Sequence, residues 1–287
     1  MKAVAFDLMR ADGLGTALAG LKDNGLAVKV LAGGQSLGPM LNLRLAQPER
    51  VIDIRSLPEL CSAKVEGEVL TIGAGVTHAR IEDGLVPDVT QGLMPFVASN
   101  IAYRAIRNRG TLGGSLAHAD PAADWVSTMM LLDATIMIAA LSDASGQGQA
   151  HITQREVKAQ DFMTGPFSTV LADHEVITAV RVPALSSSAR WGYYKFCRKT
   201  GEFAEAIGAV LSDPPRGICR LVMGATDSKP WVLAQAAALV HSPDAASLNR
   251  LLEDAGVSED PYARQQHRTA VLRAIAMLQH QPQGRAS

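Results

Sequence analysis

Two short glycine-rich segments carry the sharpest chemical signal in the sequence: Ala32-Gly33-Gly34-Gln35-Ser36 and Gly110-Thr111-Leu112-Gly113-Gly114-Ser115. Paired glycines put no Cβ between backbone N–H groups and a ligand, so such a segment can turn several amides toward one anion. Two nests of this kind could clasp one diphosphate. Taken singly, each reads equally well as a tight turn. Neither has the G-x-G-x-x-G or G-x-x-x-x-G-K-[ST] spacing, so the Rossmann and P-loop arrangements fail, and a bound dinucleotide requires another fold. Other chemistries lack their residues. Cys61, Cys197 and Cys219 lie far apart without a C-x-x-C, and the seven histidines show no H-E-x-x-H, so no zinc site or iron–sulfur cluster can be built from this chain alone. No G-x-S-x-G nucleophile elbow is present. The histidines read as surface or capping residues, with only His118 near a glycine segment. Arg104, Arg107 and Arg109 fit either a solvated helix end or a docking surface.

The elements that must position these segments alternate through the first half of the chain. The N-terminal MKAVAFDLMR reads as a first strand, since Asp7 interrupts it too early for a signal-peptide core. Val28-Lys29-Val30-Leu31 is a short β-branched strand, the first glycine segment breaks it, and Leu37 to Leu45 has helical composition with Pro39 in the first turn. With Val51 to Ile54 as a further strand, this makes a βαβ-like lobe over residues 1–55. A hairpin around Glu66-Gly67-Glu68 follows, then helical stretches from His78 to about Asn108, which the second glycine segment closes. A helix from Trp125 to Leu132, a strand Ala134 to Ala140, a Ser/Gly/Gln turn through Gln149 and strands near Ile152 and over Val176 to Val182 complete residues 56–183.

Pro183 with Ser186-Ser187-Ser188 marks a linker, and residues 184–287 have a different texture. Trp191 to Cys197, Ala204 to Leu211 and Ile218 to Met223 read as a three-stranded meander. Trp231 to Val240, Leu248 to Ala255 and Tyr262 to Gln279 read as helices, giving an α+β C-terminal domain.

Composition narrows the function classes. The 287 residues hold 27 Lys+Arg against 28 Asp+Glu, for a formal net charge of -1, and no basic run, which argues against a nucleic-acid partner. With 47% apolar and 19% charged residues the chain can bury substantial cores. The most apolar stretch, Trp125 to Leu141, is interrupted by Ser127, Thr128, Asp133 and Thr135, so it reads as core and no transmembrane segment is expected. Scattered, odd-numbered cysteines fit a reducing, cytoplasmic setting.

Four segments together resemble a known family: Leu31 to Leu37, Ile106 to Ser115, Asp120 to Asp124, and Lys195 to Ala204. They stand in the order, and at about the overall length, of the FAD-binding medium subunit of molybdenum hydroxylases, which includes carbon monoxide, xanthine and aldehyde dehydrogenases. The resemblance implies an α+β chain with a p-cresol methylhydroxylase-type FAD-binding fold of two subdomains, followed by the C-terminal flavoprotein domain. It also implies that Ala32, Gly33, Gly34, Gln35, Ser36 and Leu37, together with Thr111, Leu112, Gly113, Gly114 and Ser115, hold the FAD diphosphate through amides and hydroxyls. Asp124 matches a carboxylate that binds FAD hydroxyls; its plain alternative is a charge at a helix start. Ile177 and Lys195 match an apolar residue and a lysine beside the flavin ring, where a cation near N1 and O2 would stabilise the reduced, anionic form. A solvated strand lysine is the alternative. Tyr193, two residues earlier on the same strand face, covers a ring face or belongs to the core.

The sequence departs from the family pattern in small ways. TLGG replaces TIGG, and Glu202 stands where many relatives have aspartate. Gln35 stands where wider relatives carry a histidine that in some attaches the flavin covalently, so FAD is expected to be non-covalent. The implied function is an oxidoreductase subunit that takes electrons from [2Fe–2S] clusters in a small iron–sulfur subunit. Those electrons originate at molybdopterin in a large subunit, pass through FAD to an external acceptor, and the complex is a dimer of heterotrimers. No residue of this chain is then catalytic and none binds a metal. Two rivals are a self-sufficient FAD-dependent oxidoreductase of the same superfamily and a non-enzymatic assembly scaffold.

Overall fold

The computed structural model describes residues 2–22, 25–142 and 150–281. Residues 143–149 of the expected Ser/Gly/Gln turn and the polar tail from 282 onward lie outside them. Among the described residues, three larger sheets arise from three successive stretches of chain, and a two-stranded ribbon lies within the second.

The first stretch is β1 (Asp7–Arg10), α1 (Leu14–Leu21), β2 (Val28–Leu31), α2 (Leu37–Asn42) and β3 (Arg50–Asp53), with the strands parallel in the order β1-β3-β2. The central strand is the most apolar: Val51 and Ile52 are both fully buried, as expected of a strand covered on both faces. Gly20 of α1 lets the helix press on it, since a Cβ there would stand 2.8 Å from Ile52 Cδ1. Leu31 pairs with Asp53, so the first glycine segment leaves at the carboxyl ends of parallel strands, where open parallel sheets place ligands.

The second stretch begins with β4 (Ala63–Glu66), β5 (Val69–Gly73), α3 (His78–Glu82), α4 (Leu93–Ser99), α5 (Arg104–Arg107), α6 (Leu112–His118) and α7 (Asp124–Leu131). It ends with β6 (Thr135–Leu141), β7 (Ile152–Lys158), α8 (Ala159–Phe162), β8 (Met163–Gly165), β9 (Ser168–Thr169) and β10 (Glu175–Pro183). Five of these strands form an antiparallel sheet in the order β4-β5-β10-β6-β7. Every residue of α7 is buried, which matches its near-continuous apolar sequence and places it in the main core between this sheet and the next. A bulge in β10 between Ile177 and Ala179 breaks the strand's alternation at the residue implied to face the flavin.

The third stretch corrects the expected meander. It has four strands, β11 (Arg190–Phe196), β12 (Ala206–Asp213), β13 (Ile218–Gly224) and β14 (Trp231–Leu233), in sequence order. Trp231 to Leu233, expected to open a helix, pairs with Leu221 to Met223 instead, and the helix that follows, α9, covers only Ala237–His241. A short apolar run with tryptophan and valine suits a pleated edge as well as a helix, and here the neighbouring strand decides. The helices α10 (Ala245–Asp254) and α11 (Pro261–His280) complete this α+β unit. A Cβ on Gly192 or Gly208 would overlap the Ala274 or Ala270 carbonyl, so both glycines bring α11 directly onto the backbone of β11 and β12.

Candidate functional site

The three units meet at a cavity of about 980 Å³, within the range of ~300–1,000 Å³ common for small-molecule clefts. Its wall includes Ala32, Gly33, Gly34, Gln35, Ser36 and Leu37 from the first segment, and Thr111, Gly113, Gly114 and Ser115 from the second. Asp124, Ile177 and Lys195 also reach it. Leu112 and Tyr193 do not: both are buried in the main core, at 0% and 2% exposure. Tyr193 is therefore no cover for a ring in this cavity. Wall residues that the sequence did not single out come mainly from 101–106, 167–175 and 201–203, with the exposed rings of Tyr103, Phe167 and Phe203 at its rim. Beyond the two N-terminal subdomains, the C-terminal unit also builds the wall, through Lys195 and residues 201–203.

The first segment has the form of an anion nest. Gly34 takes φ +73°, which lets the chain reverse from β2 into α2. Gly33 permits close approach of the two segments, because a Cβ there would overlap the Arg109 carbonyl oxygen. The Gln35 side-chain amide donates to the Gly33 carbonyl at 3.0 Å and braces the turn. The main-chain N–H groups of Gly33, Gly34, Gln35 and Ser36 donate no hydrogen bond among the described residues, and the Ser36 hydroxyl forms no cap.

The second segment is different in kind. It is not a loop but the first turn of α6, and its amides are already engaged. Leu112 N–H donates to the Val76 carbonyl at 3.0 Å, Gly113 N–H to Ala74 at 2.9 Å, and Ser115 N–H to Thr111 at 3.0 Å. Gly114 N–H meets the Thr111 hydroxyl at 3.1 Å. Gly113 is needed because a Cβ would run into Ala74. What this segment can offer a ligand is side-chain hydroxyl, from Thr111 and Ser115, in place of the amide nest its spelling suggested.

On a further stretch of wall, Asp124 opens α7 and Lys195 lies on β11. The Lys195 ammonium stands 3.0 Å from one Asp124 oxygen and also donates to the Asn100 carbonyl at 2.8 Å; the Tyr193 hydroxyl donates to the other Asp124 oxygen at 2.8 Å. Both charged side chains are buried, at 9% and 8% exposure. The two implied ligand contacts are thus joined in one buried ion pair. Burial pushes the Asp124 carboxyl above the ordinary range, while Lys195 and Tyr193 pull it back down. Burial likewise holds the Tyr193 hydroxyl protonated, well above its usual range.

His78, the first residue of α3, also lies on the cavity wall, at 5% exposure. Its backbone N–H donates to the Gly110 carbonyl at 3.0 Å, and its Nδ1 accepts the Trp125 indole N–H at 2.9 Å. Burial, aided by Arg107, lowers its pKa to about 4, so the ring is neutral near pH 7. His118 reaches the wall as well, beside the Phe167 ring at 5.2 Å. The arginine cluster divides: Arg104 and Arg107 pair with Glu82 at 2.8 and 2.7 Å, Arg104 also with Asp83 at 2.6 Å, and Arg109 is exposed. The first two pin α5 to α3. No group of three or more potential metal ligands occurs among the described residues, and no described helix is long and apolar enough to cross a membrane.

The FAD-binding domain of molybdopterin dehydrogenases matches residues 4–185, which hold both glycine segments, Asp124, His78 and Ile177. The chain belongs to this family. Among curated members, the nicotine 6-hydroxylase medium subunit of Paenarthrobacter nicotinovorans is 37% identical over 183 residues, 64% of this chain and 60% of that protein's own length. The carbon monoxide dehydrogenase medium chain of Hydrogenophaga pseudoflava is 37% identical over 210 residues, 72% of this chain and 68% of its own. The likeness extends to the C-terminal unit in solved structures. Carbon monoxide dehydrogenase from Hydrogenophaga pseudoflava superposes with a TM-score of 0.83 at 30% identity, covering 97% of this chain and 99% of that one. Quinoline 2-oxidoreductase from Pseudomonas putida 86 gives 0.75 at 29% identity, covering 96% and 99%. The cavity fits the cofactor of this family: four unengaged amides and three hydroxyls suit a diphosphate, and the volume and apolar walls suit a flavin dinucleotide.

Proposed function

We propose that this chain is the FAD-carrying, electron-transferring medium subunit of a molybdenum hydroxylase. Its partners are a small iron–sulfur subunit and a large molybdopterin subunit, arranged as a dimer of heterotrimers in the cytoplasm. The observation that carries the reading is the run of four unengaged amides, Gly33 to Ser36, opening into the 980 Å³ cavity of a chain from this family. The named relatives support it as subunits of dehydrogenases and hydroxylases. FAD supplies the chemistry that accepts electrons one at a time and delivers them to an external acceptor in pairs.

The chain's own residues bind and orient. Amides 33–36 and the hydroxyls of Ser36, Thr111 and Ser115 hold the diphosphate, and Ile177 gives the ring an apolar support. The Asp124–Lys195 pair places a hydrogen-bonding carboxylate and a cation at the wall without net charge. Purification of the complex from its native host tests the proposal: flavin absorbance with iron, molybdenum and two further chains is expected. A colourless chain, or flavin in a lone chain that turns over a substrate, would overturn it.

A further inference from the structure

Among the described residues, His78 is nine-tenths buried, stands on the cavity wall, and has one ring nitrogen without a partner. The chemistry of its surroundings fixes which one. The Trp125 indole nitrogen can only donate, so His78 Nδ1, 2.9 Å away, must present its lone pair. In the neutral ring the proton then sits on Nε2. That nitrogen has no acceptor among the described residues, yet it is not sealed off in the core as the Ser127 hydroxyl is. The cavity is a space that the residue borders. Gly110 lets it reach there, since a Cβ on Gly110 would stand 2.7 Å from Nε2. Gly110 in turn backs onto Gly33 at the junction of the two glycine segments.

We propose that His78 is a ligand-binding residue of this site, its Nε2–H donating to a diphosphate oxygen of the dinucleotide held at the junction of the two segments. The inference rests on the FAD reading above and adds to it a donor that neither segment contains. It also gives the junction a use. The amides of the second segment are engaged, so a fixed side-chain donor supplies on that side what the first segment supplies by backbone. The ring needs no reorganisation to act, because Trp125 sets its tautomer and the Gly110 carbonyl anchors its backbone.

The test uses the full-length chain, alone and within the complex from its host, titrated with FAD and with ADP and riboflavin as competitors. His78→Phe removes the donor and is expected to weaken FAD and ADP alike by about tenfold or more, as for a lost hydrogen bond to a charged group, with riboflavin unaffected. His78→Gln keeps a carbonyl for Trp125 and an N–H for the ligand, and is expected to recover most of that loss. Binding within about twofold of wild type for both variants, or a loss confined to riboflavin, would overturn the assignment and leave the flavin reading standing. A wild-type chain that takes up no FAD in either form would overturn both. A readout independent of the variants is the ¹⁵N spectrum of His78 in the wild-type protein. The expected result is an unprotonated Nδ1 and a protonated Nε2 whose proton moves downfield and is shielded from exchange when FAD or ADP is added; an unchanged signal would sink the proposal.

Discussion

The two glycine segments are spelled almost alike and do opposite work. In 32–36 four amides, Gly33 to Ser36, donate no hydrogen bond among the described residues, and the glycines exist for a positive φ and for close approach to Arg109. In 111–115 every amide from Leu112 to Ser115 is engaged, two of them by the strand-end residues Ala74 and Val76, and Gly113 exists so that α6 can lie against that strand end. A glycine pair therefore marks close approach by something. Whether that something is a ligand or the protein's own backbone depends on which partners the fold brings to the amides.

The largest break in the comparison comes from Gly33. Replacing it with valine forces a branched Cβ into the Arg109 carbonyl, and since the obstacle is backbone, the segments must separate. We expect a stability loss in the exceptional class beyond about 4 kcal/mol and complete loss of flavin retention. The same change at Gly114 crowds the Thr111 hydroxyl, at 2.7 Å, with Ala32 Cβ in ordinary contact at 3.8 Å, and is expected to cost far less. Thermal melts and flavin content of the two single variants decide it. Equal losses would erase the distinction between the segments.

Next in size is the third stretch of wall. Lys195→Met leaves the Asp124 carboxylate buried beside Tyr193 without its cation. About 3–5 kcal/mol of stability should be lost, with much of it recovered by the double variant that adds Asp124→Asn. Additive losses in that cycle would show that the two side chains act separately. The sequence pointed to these residues as two independent ligand contacts. A single buried pair could not be read from it, because Asp124 and Lys195 lie 71 positions apart and their distance is set by the packing of α7 against the C-terminal sheet.

The same limit explains most of what was and was not legible. The first segment was readable because what turns its chain, β2, Gly34 and Pro39 in α2, lies within a dozen residues; only the close approach of Gly33 to Arg109 is long-range. The second was misread as a nest because its acceptors, Ala74 and Val76, come from a separate element more than thirty positions earlier. Tyr193 was placed on the correct strand face with Lys195, but the face meets Asp124 in the core before it meets the cavity. His78 reads with the other histidines as a surface or capping residue since no spacing marks it, yet it is buried on the cavity wall; a local hint is its position just after Thr77, whose hydroxyl caps α3. The fourth strand of the C-terminal sheet was lost for a related reason, as three residues are too few to show a period.

Acid should act on the second segment more than on the first. His78 is neutral when folded and its pKa is lowered to about 4 from an ordinary 6.5, so the unfolded chain binds the extra proton first. Its contribution is full above pH 6.5 and is lost as pH falls toward 4, by about 3 kcal/mol at the lower end. His78→Gln should flatten the stability profile between those values. An identical slope in the variant would remove His78 as the group responsible.

The smallest effect separates the two roles left to the second segment. Thr111 caps α6 through Gly114 and lines the cavity with the same hydroxyl. Thr111→Val removes both, Thr111→Ser neither. The lost cap should cost about 1 kcal/mol of stability. If the hydroxyl also meets the ligand, FAD affinity falls by a further factor of about ten on the folded protein, since an interaction with a charged group is lost in addition to the cap. A valine variant that melts earlier yet binds FAD as tightly as wild type would reduce Thr111 to scaffold alone. It would leave the four amides and the Ser36 hydroxyl of the first segment, with the Ser115 hydroxyl and whatever His78 adds, as the diphosphate site.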